Sequence, residues 1–238
     1  MTPEQAAHET RDAIVTFTSG FMTDPASYAY GQSLGFDGFD FYIAGRGGVL
    51  GDVPADVVVA ALVYFADDAV RPRWERAGLV MTRRSAAQAF AQCARSWALD
   101  HVSDDVDAPR LAALLGQVVA RASVAGAPLF AGWRLLEEPH EPKALVVHRL
   151  NALRELRGAV HGAAVLTVGL RPIEAVVVRS PKMAPVLGWP EPYPDPEPFR
   201  DRWQLAEART DRVFGRHLAV LDEHERAELV ELLAKAAT

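Results

Sequence analysis

Leu153-Arg154-Glu155-Leu156-Arg157-Gly158-Ala159-Val160-His161-Gly162-Ala163-Ala164 lies inside a run whose apolar residues recur at steps of three and four. That is the period of an α-helix. The run predicts a helix from about Lys143 to Val168, the longest in the chain. Gly169 is its stop, and Pro172 starts a further helix through Val178. Arg154, Arg157 and His161 stand at i, i+3 and i+7, so they share one helix face. Leu150 and Val165 extend that face with apolar groups. Gly158 and Gly162 flank it, and each costs ~1 kcal/mol in a helix interior. Two of them together point to close approach by another helix or a ligand. One reading is an anion-recognising cleft, with Arg157 as a forked donor and His161 as donor or acid–base group. The other is an arginine paired to a buried carboxylate, with His161 hydrogen-bonded in the core.

The same periodicity extends outward in both directions, and the expected class is all-α with at most a minor β-hairpin. The first helix runs from about Pro3 to Phe17, and Asp24-Pro25 starts a second. Gly35 to Tyr42 reads as irregular and aromatic. It leads into a glycine-rich turn, Gly45-Arg46-Gly47-Gly48. Asp52 is expected to cap the helix that carries Val57 to Phe65. Pro72 punctuates the next segment, Asp68–Ala77, and further helices fall at Ser85–His101, Pro109–Val124, Leu129–Leu136, Phe199–Leu221 and Asp222–Ala236. Alternate prolines exclude helix from Trp189 to Pro196.

Gly51-Asp52-Val53-Pro54-Ala55-Asp56-Val57-Val58-Val59 aligns without a gap on Gly169-Leu170-Arg171-Pro172-Ile173-Glu174-Ala175-Val176-Val177. The separation is about half the chain. A duplication is expected, with halves 1–126 and 127–238 packed as one globular unit. Two ordinary proline-started helices would also produce the match.

Of 238 residues, 50% are hydrophobic and 24% charged, enough for a sizeable core. A lone cysteine, Cys93, excludes an internal disulfide and a cysteine-based zinc site. It falls within a helical run and reads as a small core residue. The N-terminus has no signal-peptide pattern, and no apolar run reaches the ~18–20 residues of a membrane span. A cytoplasmic location is the expectation. The net charge of −6 counts against a dedicated nucleic-acid binder. Arg71, Arg73, Arg76, Arg83 and Arg84 nevertheless form a basic cluster that suits either phosphate contact or a solvated helix face. The histidines show no metal-ligand spacing, and neither metal nor cofactor is expected. Arg46 sits among glycines that could cradle an anion, without the ending of a P-loop. Its alternative is a tight bend, with Arg46 paired to Asp40 or Asp52. Trp189 and Tyr193 stand in the proline-rich loop, either as a lid or tacked onto the core.

Phe41-Tyr42-Ile43-Ala44-Gly45-Arg46-Gly47-Gly48-Val49-Leu50-Gly51, followed by Val57 to Ala61 and Tyr64-Phe65, resembles a signature of the actinobacterial SalK-like helix-turn-helix proteins. The run Leu153 to Ala164, continuing to Gly169-Leu170 and Glu174-Ala175, resembles a second. Glu207, Thr210-Asp211 and the closing helix are similar to the end of MarR-type regulators. The resemblance implies a MarR-like, winged-helix-related architecture, duplicated so that one chain imitates a regulator dimer. Two departures stand out. Trp189 to Pro198 is short where relatives carry a winged hairpin, and Ala159 occupies a position that is often acidic.

The expected function is a small-molecule-binding, ligand-responsive regulator with reduced DNA binding. Its ligand would be anionic or aromatic, contacted by Tyr42, Arg46, Arg154, Arg157 and His161 and covered by Trp189 or Tyr193. It would act as a monomeric pseudo-dimer or as a homodimer. The alternatives are an enzyme using His161 as acid or base with Arg157 stabilising charge, and a non-catalytic scaffold.

Overall fold

The computed structural model describes residues 1–236, and these form helices and connecting turns with no strand. The first part of the chain contains α1 (Pro3–Thr23), α2 (Pro25–Ser33), α3 (Asp40–Gly47), α4 (Ala55–Ala61), α5 (Asp67–Val80), α6 (Arg83–His101) and α7 (Ala108–Arg121). The second contains α8 (Pro128–Trp133), α9 (Pro142–Thr167), α10 (Pro172–Arg179), α11 (Met183–Val186), α12 (Arg200–Leu218) and α13 (Glu223–Ala236).

Side chains in the sequence set several of the helix starts. Thr2 and Gln5 form a reciprocal capping box on α1. Asp24, Thr82 and Asp107 cap α2, α6 and α7 by accepting from backbone N–H groups one turn in. Asp52 does not cap α4: that helix begins after Pro54 and has no side-chain cap. The first helix continues to Thr23, beyond the expected end at Phe17, because Phe21 and Met22 carry its buried face onward.

The central element is α9, which packs against α1, α6, α7, α8 and α12. Neighbours on so many sides bury residues around its whole circumference, among them Val146, Leu150, Leu153 and Val165. Among the described residues no single helix is long and apolar enough to cross a membrane; α9 and α10 meet the length and composition only as a pair bent by 111°.

The glycine-rich segment is not the turn that its composition suggests. Gly45, Arg46 and Gly47 belong to α3, and a short 3-10 turn at Gly48–Leu50 follows. The glycines serve packing of α3 on α6. A Cβ on Gly45 would sit 2.3 Å from the Phe90 ring, and one on Gly48 would sit 2.1 Å from the Arg83 carbonyl oxygen.

Several elements correspond in pairs. α6 and α12 each span 19 residues, and α7 and α13 each span 14. Gly51 and Gly169, which precede α4 and α10, adopt φ of +79° and +78°, the left-handed conformation that glycine accepts without strain. The long α1 lies along α12 and α13, and the Met1 amino group meets Glu223 at 2.9 Å.

Candidate functional site

Two polar clusters flank α9. In the first, Arg46 of α3 donates from Nε and Nη2 to the two carboxylate oxygens of Glu155, both at 2.9 Å. Its Nη1 donates to the Tyr42 hydroxyl, and Arg154 donates to Glu155 Oε1 at 3.0 Å. Arg46 therefore pairs with neither Asp40 nor Asp52. Burial disfavours both charges of the pair, but their mutual attraction outweighs it. The arginine pKa is raised and the Glu155 pKa lowered, so both stay ionised.

The second cluster lies where α9 meets α12. Arg157 donates to Glu207 at 3.0 Å and lies 3.6 Å from Asp211. His161 Nδ1 is 2.9 Å from Thr210 Oγ1. The Thr210 hydroxyl gives its one proton to the Ala206 carbonyl at 2.7 Å. It must therefore accept from His161, which fixes the proton on Nδ1. Burial pushes the His161 pKa down to about 4, so near pH 7 the ring is neutral and Nε2 carries a lone pair. Glu207 raises that pKa and Arg157 lowers it, both by less than burial. Nε2 faces Glu207 Oε1 at 3.6 Å, one acceptor against another. α1 closes this side: His8 lies 3.0 Å from Asp211, and Arg11 lies 3.9 Å from Glu207.

Around this seam, among the described residues, four buried polar atoms have no hydrogen-bond partner: Tyr64 Oη, Arg157 Nε, His161 Nε2 and Asp211 Oδ1. Native interiors leave few such atoms, and each calls for a physical reason. Two are donors and two are acceptors. The Tyr64 ring lies 5.9 Å from the His161 ring, and Trp203 meets His161 edge-on at 5.0 Å. Burial raises the Tyr64 pKa and keeps its phenol protonated.

A cleft of about 50 Å³ opens on the Arg46–Glu155 side of α9, lined by Arg46, Tyr64, Glu155, Gly158 and Ala159 among others, and Tyr64 is the residue it shares with the surroundings of His161. A water occupies ~30 Å³ of liquid volume, so the space suits one or two waters or a head group of a few atoms. Nothing would meet a Cβ on Gly158 within 4 Å, whereas Gly162 packs on Val63. The two glycines thus have different roles, one facing open space and the other meeting the α4–α5 linker. Arg154 does not join Arg157 and His161; it turns to Glu155.

A model of the Helix-turn-helix family matches residues 7–193. The chain belongs to that family. No curated protein and no solved structure matches it.

In this helix-turn-helix protein the basic cluster falls on α5 and the start of α6, and most of it is engaged internally. Arg71 pairs with Asp56 and Asp67, and Arg76 grips Asp40 with two bonds of 2.8 Å. Arg73 donates to the Ala69 carbonyl. Arg83 lies over the Trp74 ring at 3.9 Å. Arg84 is exposed. A face the sequence reading missed lies on α12, where Arg209, Arg212 and Arg216 are exposed and unpaired among the described residues. Their i, i+3, i+7 spacing was the available signal.

Trp189 and Tyr193 do not line the cleft. Trp189 packs near Val176, Val177 and Ala184, and its indole N–H donates to the Tyr64 carbonyl at 2.9 Å. It fastens the α4–α5 linker, which in turn holds the Tyr64 phenol near His161. Tyr193 donates to the Trp189 carbonyl at 3.4 Å. Cys93 is buried, and burial raises its thiol pKa. No group of metal-binding side chains occurs among the described residues.

Proposed function

We propose that this helix-turn-helix protein binds a small molecule at the α9–α12 seam, and that occupancy tunes its contact with DNA. The observation that carries the reading is the set of four unpartnered buried polar atoms around His161. A ligand with a donor between His161 Nε2 and Glu207 would relieve the facing acceptors, and an acceptor on it would take the Tyr64 and Arg157 protons. Arg46 and Arg154 share the single carboxylate of Glu155, which leaves positive charge beside the cleft. That favours an anionic head group, attached to an aromatic body where the α4–α5 linker yields. The paired lengths of α6 with α12 and of α7 with α13 support a MarR-like pseudo-dimer in one chain. Without a strand among the described residues, a hairpin wing plays no part in this DNA contact.

DNA contact would run through α5, the start of α6 and the exposed arginines of α12. Because the α5 arginines are held by carboxylates, few are free to neutralise phosphates, so binding should be weak and should fall with salt on a shallow slope. The test is retention of a DNA duplex at low salt, with Arg71→Ala/Arg73→Ala and Arg209→Ala/Arg212→Ala variants. Lack of retention at every salt concentration would sink the DNA half of the proposal. Thermal shift against a panel of carboxylates and aromatic acids tests the ligand half; a ligand at a hundred times its dissociation constant adds ~2.7 kcal/mol. Shifts that survive intact in Arg157→Ala would place the ligand elsewhere.

One observation favours a catalytic variant of this reading. A neutral imidazole with a fixed tautomer and a free Nε2 is arranged as a general base is. Incubating any ligand found by thermal shift and recovering it chemically unchanged would exclude catalysis on that ligand.

A further inference from the structure

Away from the α9–α12 seam, a groove of about 320 Å³ runs between α2 and α6. Its walls include Asp24 and Tyr30 on one side and Cys93, Trp97, Asp100 and His101 on the other. The volume falls within the ~300–1,000 Å³ usual for small-molecule sites. No lysine or arginine lines it.

The polar atoms here are mainly acceptors. Asp24 Oδ1 accepts from the Ala26 N–H as the cap of α2, which leaves its other oxygen free of that bond. The Asp100 side chain makes no hydrogen bond or ion pair among the described residues, and it is exposed at the groove. His101 Nδ1 lies 2.8 Å from the Trp97 carbonyl, which can only accept, so Nδ1 carries the proton and Nε2 is a free acceptor in the neutral ring. The aromatic walls are equally directional. The Trp97 and His101 rings stack at 4.3 Å and 5°, and Tyr30 is 38% exposed. Aromatic faces carry negative quadrupolar charge and attract cations. Two carboxylates and π-faces, with no lysine or arginine among the lining residues, leave the groove electrostatically unbalanced in one direction.

We infer that the α2–α6 groove is a binding site for a small organic cation, an ammonium carried on an aromatic or apolar body. The ammonium would lie between Asp24 and Asp100, and the body would lie against Trp97 and Tyr30. The small side chains at the base, Ser27 and Cys93, are buried and leave the depth for it. This site stands independently of the ligand proposed at His161, whose surroundings favour an anionic group.

The test uses 2-phenylethylammonium as probe, with 2-phenylethanol and phenylacetate as neutral and anionic comparators of similar shape. Binding is followed through the Trp97 indole N–H resonance, assigned by its loss in Trp97→Phe. The expected result is a saturable shift with the ammonium, binding about tenfold tighter than the alcohol, and no shift with the carboxylate. Asp100→Asn, a surface change that should leave folding intact, is expected to weaken the ammonium by about tenfold and leave the alcohol unchanged. Tyr30→Ser should weaken both. Equal binding of ammonium and alcohol, or an Asp100→Asn variant that binds the ammonium as well as the parent, would overturn the inference. His161→Gln should leave this titration unaltered, which separates the fate of this site from that of the other.

Discussion

Arg46 and Glu155 form a two-pronged ion pair that ties α3 to the centre of α9, with both bonds at 2.9 Å and both residues buried. Breaking such a pair from one side strands a charge in the core, which typically costs about 3–5 kcal/mol. Glu155→Gln should therefore lower the unfolding free energy extrapolated from urea titration by that order. The double variant Arg46→Met/Glu155→Leu should recover most of the loss, since it removes both buried charges together and leaves only Arg154, whose partly exposed side chain can turn to solvent. A double variant as unstable as the single would mean that the ion pair itself, and not the stranded charge, sets the cost.

Thr210 dictates the tautomer of His161. Thr210→Val keeps the shape and removes the acceptor, leaving the Nδ1 proton buried without a partner. Destabilisation of about 1–3 kcal/mol is expected. The ring nitrogens offer a sharper readout, because 15N shifts distinguish the two neutral tautomers. The parent should show the Nδ1–H form and the variant a mixture. An unchanged spectrum in Thr210→Val would mean that something else holds the ring.

His148 and His161 are both pushed down to about 4, chiefly by burial. In the unfolded chain they titrate near the ordinary 6.5. Between these values the unfolded state binds protons that the folded state refuses. Their contribution is thus fully present above pH 6.5 and is lost as pH falls toward 4, on the order of 3 kcal/mol for each. Chemical denaturation at pH 7, 5.5 and 4.5 should show this decline, and the decline should be shallower in His148→Gln. Equal slopes in parent and variant would contradict a depressed His148.

Gly158 and Gly45 should respond in opposite ways to alanine. Gly158 faces open space within α9, so Gly158→Ala should stabilise by up to ~1 kcal/mol while narrowing the cleft. Gly45→Ala drives a methyl into Phe90 and should cost about 1–3 kcal/mol or more. Calorimetry would decide. A Gly158→Ala protein that melts lower than the parent would show that the cleft is filled by something its wall must accommodate.

Much of the second cluster had a signal in the sequence. Arg157 and His161 share a face by spacing alone, and Glu207, Thr210 and Asp211 follow helix steps of three and four. What spacing could not supply was that these two faces meet, because helix periodicity orients a side chain about its own axis and not toward a particular partner. Glu155 shows the same limit from the other side. His148, Asn151 and Glu155 form a second polar stripe opposite Arg157, all buried. A polar stripe on each side of one helix was the sign that α9 is enclosed. The glycine-rich segment misled for a related reason: glycine marks both tight turns and close helix contacts, and only the positions of Phe90 and Arg83 distinguish them.

The Leu153–Ala164 run, with the periodicity around it, determined by itself that this chain is helical and that its longest helix carries arginine and histidine on one face. Capping residues and prolines set several helix starts, since those effects act within a turn or two of the chain. Tertiary structure alone decided that Arg46 reaches Glu155 and not Asp40 or Asp52. It also decided that His161 is neutral with its proton on Nδ1, and that Tyr64 joins it through a linker fastened by Trp189. Each of these depends on burial and on partners distant in sequence, where desolvation and packing outweigh local preference.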